Sequence, residues 1–187
     1  MNKRNFLLLG FAVVVAAQLA VPAWLIIERE WTLREGQVFK FKTRPIDPAD
    51  AFRGRYVWLG LEPDKVKMPN AQQWLYNQKA FAVLGTDSNG FAVATRLERE
   101  RPRGEAAVPV RTRWSDTNGH VHISWPGLDR YYMTEKKAPA AETAYREHNR
   151  GTNRSCHVTV RVLGARAVLE NLFIEEQPIL DWLKAGQ

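Results

Sequence analysis

The sequence predicts a mainly β protein of the α+β class, in which one N-terminal transmembrane helix precedes an antiparallel β-rich domain. We expect that domain to be a sandwich or barrel-like, with one or two helices. Three observations predict this fold. Residues 6–27 carry no charge, and from Gly36 onward short alternating runs are punctuated by Gly, Pro, Asn and Asp. The length of 187 residues suits one domain with a short appendage.

The uncharged segment 6–27 is predicted to be a membrane-spanning helix. At about 1.5 Å per residue it can cross a hydrocarbon layer of about 30 Å. Lys3 and Arg4 precede it, and this positive charge favours an N-terminus in the cytoplasm. We therefore expect a single-pass protein of the bacterial inner membrane, with residues 1–31 as the anchor and residues 32–187 as a periplasmic, extracytoplasmic β-rich domain.

A cleaved signal peptide is the alternative for the same segment. Small residues at 15–17 precede Gln18 behind a short apolar run, as at a cleavage site. The apolar run continues well past that point, which favours an uncleaved signal-anchor. Trp24 and Trp31 lie near its far end, where amphipathic rings suit the headgroup layer.

Alternation of apolar and polar residues marks the strands of the domain. The predicted strands are 37–42, 79–84, 91–97, 107–114, 120–125, 156–163 and 167–174. The turn-forming loops GTDSNG and SDTNG join two hairpins, and Gly164 turns the last pair. The expected apolar faces are Phe91, Val93, Thr95 and Leu97 in the first hairpin, and Val108, Val110, Trp114, Val121, Ile123 and Trp125 in the second.

Helices are predicted in three places between and after these strands. Residues 139–148 begin with a proline near the first turn and contain Glu142 and Arg146 at the i, i+4 spacing of an ion pair. A shorter helix is expected within 70–78. The segment 177–184 is expected to pack its leucines as a terminal helix.

The stretch DPADAFRGRYVWLGLE, at 47–62, passes from a charged turn into an apolar strand. The strand faces are Val57, Leu59 and Leu61 on one side and Tyr56 and Trp58 on the other. Since both faces are apolar, the sequence predicts one strand in the middle of a covered sheet. Packing accounts for the stretch without chemistry.

His120 and His122 are the best candidates for a metal site. They lie two apart on a predicted strand and would share a face. Arg111 and Arg113, on the polar face of the opposing arm, would repel a cation. No metal site is therefore predicted.

Cys156 and His157 resemble a thiol beside its base. Neighbours along a strand point to opposite faces, however, so they cannot hydrogen-bond each other there. We expect Cys156 to be a buried structural thiol. The sequence contains no glycine loop of the nucleotide-binding kind and no Gly-x-Ser-x-Gly elbow, so no cofactor is predicted.

The balance of 27 basic to 20 acidic residues gives a net charge of +7. Such a charge can serve nucleic-acid binding, but the apolar head of the chain argues against that partner. An anionic membrane surface or an acidic patch on a protein partner fits better.

Two segments of the sequence resemble the bacterial GDYXXLXY family. One runs from Gly54 to Leu61 and contains the glycine, tyrosine and leucine of the signature; the other, from Tyr131 to Glu135, resembles the family's aromatic segment. Arg55 occupies the place of the signature acid, and Leu61 that of the last tyrosine. The residues that carry the resemblance, and that are candidate binding residues, are Asp47, Gly54, Arg55, Tyr56, Leu59, Tyr132, Glu135 and Glu142.

The resemblance implies a membrane-anchored protein of unestablished activity, in a family often encoded beside a multi-spanning membrane protein. It implies a membrane partner more than a reaction, and Arg55 in place of the acid weakens any enzymatic role. We therefore predict a non-enzymatic accessory or interaction module and assign no catalytic residue. The alternatives are a cell-envelope hydrolase or lyase using Tyr132, Glu135 and Glu142, and a carrier of an apolar ligand.

Overall fold

The computed structural model describes residues 3–44, 56–150 and 154–185. The helices are α1 (Lys3–Glu35), α2 (Ala138–His148) and α3 (Ile179–Ala185), with a 3₁₀ turn at Ala71–Gln73. The strands are β1 (Gln37–Arg44), β2 (Tyr56–Trp58), β3 (Gly60–Leu61), β4 (Lys65–Lys67), β5 (Lys79–Thr86), β6 (Ala92–Glu98), β7 (Ala107–Ser115), β8 (His120–Ser124), β9 (Arg130–Tyr132), β10 (Cys156–Leu163), β11 (Arg166–Ile174) and β12 (Gln177–Pro178).

Helix α1 is continuous over 33 residues, which corresponds to about 50 Å. Its portion Leu7–Glu35 is the one helix of the described chain that is long and apolar enough to cross a membrane, a property that signal sequences share. No residue of its most apolar 18-residue window is buried. A hydrocarbon layer of about 30 Å is shorter than this helix.

The strands form a nearly closed, barrel-like antiparallel assembly. One five-stranded sheet has the order β12-β11-β10-β1-β3, the other the order β4-β8-β7-β5-β6, and β2 pairs with β9 in a two-stranded ribbon. A bridge between Lys40 and Phe91 links the two large sheets. The Ala107 N–H also donates to the Gly164 carbonyl at 3.0 Å. The predicted β-rich fold class, with an N-terminal apolar helix, is confirmed.

The core fills the space between the sheets. Phe41 and Trp125 meet edge to face, with ring centroids 5.2 Å apart. The four β10 residues predicted to share a face are buried: Cys156, Val158, Val160 and Val162. His157 and Thr159, which alternate with them, are buried as well, so this part of β10 is covered on both faces. The thiol of Cys156 lies in this core and is not bridged.

A β-bulge corrects the apolar face predicted for the first hairpin. Val83 pairs with Arg96 while Leu84 pairs with Ala94, so Thr95 is an extra residue in β6. The extra residue reverses the alternation, and Ala92 and Leu97 are buried while Thr95 is exposed. The prediction that Thr95 shares a face with Leu97 was wrong.

A second irregularity changes the face of Trp114. Thr112 pairs with Ile123 but Ser115 pairs with Val121, which gives β7 one residue more than β8 over this interval. Trp114 therefore leaves the predicted apolar face and is 61% exposed. Its ring stacks on His122 at 4.6 Å instead.

The segment from Tyr56 to Leu61 is not one central strand, contrary to the prediction. It divides into β2 and β3, which belong to different sheets, and β3 is an edge strand. The chain changes sheet at Leu59, whose N–H donates to the Asp129 carbonyl at 2.9 Å. Val57, Leu59 and Leu61 are buried as expected, whereas Tyr56 and Trp58 are half-buried.

Two of the three predicted helices are confirmed in α2 and α3. In α2 the Glu142–Arg146 ion pair forms at 2.8 Å. Within 70–78 the structure contains only the 3₁₀ turn.

Gly36 alone separates α1 from β1. Its N–H donates to the carbonyl of Thr32 at 3.0 Å, and its own carbonyl accepts from Arg161 at 3.2 Å. A Cβ at Gly36 would collide with the Thr32 carbonyl oxygen and lie 3.1 Å from the Val162 nitrogen. About two turns before Gly36, Glu28 forms a 3.1 Å ion pair with Arg166 of β11. The helix is thus joined to the barrel without a linker.

We expect Gly36→Ala to weaken this joint and to lower the free energy of unfolding by about 1–3 kcal/mol, the usual cost of inserting a methyl into a filled site. Gly10→Ala is the matched control, because no atom lies within 4 Å of a Cβ there. Denaturant titration of the full chain in nanodiscs measures both variants. Equal stability of the two would contradict the role assigned to Gly36.

Candidate functional site

The ribbon of β2 and β9 brings the two family-like segments together. Tyr56 is paired with Tyr132, and Trp58 with Arg130, so these four side chains share the outer face. Between them Val57 and Tyr131 point inward and are buried. We call the outer set of Tyr56, Trp58, Arg130 and Tyr132 the aromatic–arginine patch.

The guanidinium of Arg130 organises the patch. It lies over the Tyr56 ring at 5.3 Å and over the Trp58 ring at 4.9 Å, distances typical of cation–π contacts. The Tyr56 and Tyr132 rings meet edge to face at 5.6 Å. Tyr132 is 63% exposed, so the edge of the patch is open to solvent.

Arg130 is a permanent cation in this setting. A hydrogen bond to Tyr132 raises its pKa further above the usual value, and Asp129 Oδ2 lies 4.0 Å from its Nε. That Nε is buried and has no hydrogen-bond acceptor among the described residues. A group that cannot lose its proton is not an acid or base catalyst, but it can bind a carbonyl, a carboxylate or an aromatic face.

Helix α2 packs behind the ribbon, against β2. Ala141 and Ala144 are buried, and the hydroxyl of Tyr145 donates to the Arg44 carbonyl at 3.1 Å. Burial raises the pKa of Tyr145 to about 12. This tyrosine holds α2 on the barrel as a neutral side chain.

The structure brings some of the predicted site residues together and not others. Tyr56 and Tyr132 belong to the patch, while Leu59 is buried. Glu142, on α2, is engaged with Arg146, and Glu135 is exposed in the turn before α2. Three predicted residues lie outside the described residues: Asp47, Gly54 and Arg55.

Arg130 was missed from the sequence, and Trp58 was taken only as part of a strand face. The alternation Arg130-Tyr131-Tyr132 was a usable signal, because it places Arg130 and Tyr132 on one side of a strand. That Trp58 joins them depends on a pairing between segments far apart in the chain, which alternation does not reveal.

A crevice of about 370 Å³ lies beside His157. The imidazole is stacked parallel to Phe173 at 4.8 Å and edge to face with Phe91. Burial lowers the pKa of His157; a smaller opposing effect comes from Glu176, and Lys40 lowers it slightly further.

Cys156 also lines this crevice, but its thiol is buried in the hydrophobic core. Its sulfur lies 3.9 Å from the Tyr145 carbonyl, and burial raises the thiol pKa to about 12. The expectation that Cys156 and His157 face opposite ways is therefore confirmed.

His120 and His122 both approach one carboxylate, that of Asp116, at 3.2 Å and 3.7 Å. Within residues 3–44, 56–150 and 154–185, no group of three or more His, Cys, Asp or Glu side chains is arranged to hold a metal ion.

These observations define a class: a barrel-like β domain on one apolar helix, with a solvent-facing aromatic–arginine patch. The chain belongs to the GDYXXLXY protein family, whose sequence profile matches residues 18–172. The match begins inside α1 and ends in β11, so it includes both strands of the patch and the joint at Gly36. No curated protein and no solved structure matches the chain.

We expect the stability of the domain to fall in acid because of His157. Above the ordinary imidazole pKa of about 6.5, His157 is neutral in the folded and in the unfolded protein. Below that pH the unfolded chain binds a proton more readily than the folded protein, because burial lowers the pKa of His157 in the fold. The free energy of unfolding should therefore decrease from about pH 7.5 to about pH 5. His157→Phe should remove that part of the slope, while Phe173→Leu, which keeps the imidazole, should retain it. Chemical denaturation at both pH values is the measurement, and equal slopes in wild type and His157→Phe would refute the assignment.

Proposed function

We propose that the protein is an accessory module of the bacterial inner membrane. Residues 1–31 anchor it, and residues 32–187 form a periplasmic domain that binds an integral, multi-spanning membrane protein and catalyses no reaction. The observation that carries this proposal is the aromatic–arginine patch, a prearranged contact surface built from the family-like segments.

The residue types of the patch support a role in binding another protein. Tryptophan, tyrosine and arginine are the residue types that dominate the binding energy of protein interfaces. Here the two aromatic rings hold Arg130 in place, so little side-chain freedom is lost on binding. The Arg130 side chain is 39% exposed, so its guanidinium can donate to a carbonyl or carboxylate of a partner.

The height of the patch supports a partner in the membrane. Leu128 lines a crevice together with Leu25 and Glu28 of α1, at the end of the apolar run. Arg130 is two residues further on, at most about 7 Å along the chain. A surface at this height faces the extramembrane loops of a neighbouring membrane protein.

The alternative, an envelope hydrolase or lyase, would use Tyr132, Glu135 and Glu142 in a cleft between helix and sheet. Glu142 is held by Arg146, and Tyr132 extends from the outer face of β9. This arrangement favours a binding surface over a catalytic site, because a general acid or base must reach its substrate. For a carrier of an apolar ligand, the Phe41–Trp125 contact fills core volume that a ligand would need.

Photo-crosslinking tests the proposed partner. A photoreactive amino acid at position 132 of the full chain should trap an integral membrane protein in native membranes, and Arg130→Ala should reduce the yield. Tyr76 is the matched control, because it is an equally exposed tyrosine, at 69%, outside the patch. As a surface change, Tyr132→Ala should alter the free energy of unfolding by only about 0.5 kcal/mol. Equal trapping from both positions, or trapping of soluble proteins only, would reject the proposal.

A topology reporter tests the orientation. A reporter enzyme that folds only in the periplasm, fused at the C-terminus, should be active, because Lys3 and Arg4 keep the N-terminus inside. A reporter that requires the cytoplasm should be inactive in the same position. The reverse pattern would contradict both the localisation and the class of partner.

A further inference from the structure

A crevice lies between α1 and the barrel at the helix–domain joint. We propose that it binds the headgroup of an anionic phospholipid. It has a volume of about 320 Å³, and α1 contributes Leu25, Glu28, Arg29 and Thr32 to its lining. We call it the juxtamembrane crevice.

The crevice lies at the height of lipid headgroups. The uncharged run ends at Ile27, so Leu25 is on the lipid side of that boundary and Thr32 on the domain side. The rise of about 1.5 Å per residue makes the distance between these two positions about 10 Å. The headgroup layer of one leaflet is about 5–8 Å thick. A phosphate in that layer would thus be level with the crevice.

The charges around the crevice favour an anion. Glu28, the acid in the lining, is engaged with Arg166 at 3.1 Å. Arg29 also lines it, and in the described ranges neither Arg29 nor Arg101 has a carboxylate within ion-pair distance. Arginine binds phosphate through two parallel N–H groups, so these cations suit a phosphodiester.

Arg101 lies against the turn between β10 and β11, one residue from the crevice lining. Its Nη2 lies 2.8 Å from where a Cβ would stand on Gly164, next to the lining residue Ala165. Gly164 has a φ of +61°, so a glycine is favoured here for the turn and it also leaves room for the guanidinium.

The walls of the crevice distinguish a lipid from a free anion. On the barrel side they include Pro109, Pro126, Leu128 and Val168, and on the helix side they continue through Leu25 into the apolar span. Apolar surface of this kind suits the glycerol backbone and the first methylenes of an acyl chain. A soluble phosphate would gain nothing from it.

Native mass spectrometry of the full chain, released from nanodiscs, tests the proposal. Nanodiscs of phosphatidylcholine mixed with phosphatidylglycerol should yield protein that retains phosphatidylglycerol in preference. Arg29→Gln and Arg101→Gln should each weaken that retention about fivefold, since each basic residue at an anionic surface contributes to this extent. Arg113→Gln, an exposed arginine on β7, is the control and should have no effect.

Two outcomes would overturn the site: equal retention of the two lipids by wild type, or undiminished retention by the Arg29→Gln/Arg101→Gln double variant. Both arginines are exposed, so the fold should survive, and thermal unfolding checks this. Arg29→Lys keeps the charge and should keep most of the binding. Because no residue of the patch is altered, failure here is distinct from failure of the crosslinking.

Discussion

The joint between α1 and the β10–β11 pair is the constraint on which the rest of the structure depends. At this joint Gly36 lets the chain turn directly from helix to strand, Thr32 is buried, and Glu28 is paired with Arg166. A helix that passes directly into a sheet determines the position and rotation of the barrel relative to α1. The aromatic–arginine patch and the juxtamembrane crevice therefore have fixed positions relative to α1.

The patch shows how two short strands can build a surface that neither could build alone. Each cation–π contact at an exposed site is worth only about 0.5–1 kcal/mol, so Arg130 adds little to the stability of the fold. The Tyr56 and Trp58 rings hold the guanidinium in one position on the surface, which is the preorganisation that the proposed contact role requires. The buried Val57 and Tyr131, on the opposite face of the same strands, hold this surface on the barrel.

Much of this fold can be predicted from the sequence, because the periodic pattern of apolar residues that marks a helix or a strand is contained within that segment. The uncharged run predicted α1, and alternation with period two predicted most strands and the burial of Cys156. The predicted strand faces were wrong at Thr95 and Trp114. One extra residue in a strand reverses the direction of every later side chain, and the position of that residue depends on pairing with the partner strand. Two of the four patch residues, Tyr56 and Tyr132, were named as candidates from the family resemblance. Arg130 was not, because its place beside Tyr56 and Trp58 depends on the long-range pairing of β2 with β9.

The central claim is that helix and barrel move as one body, and an electron-spin distance measurement tests it most directly. Spin labels at Leu19→Cys in α1 and Lys184→Cys in α3, both at exposed positions, would report the separation in full-length protein in nanodiscs. Cys156 is buried, with its thiol pKa raised to about 12, and should remain unlabelled. The account predicts one narrow distance distribution. A broad distribution, as from a barrel swinging on a hinge, would contradict it.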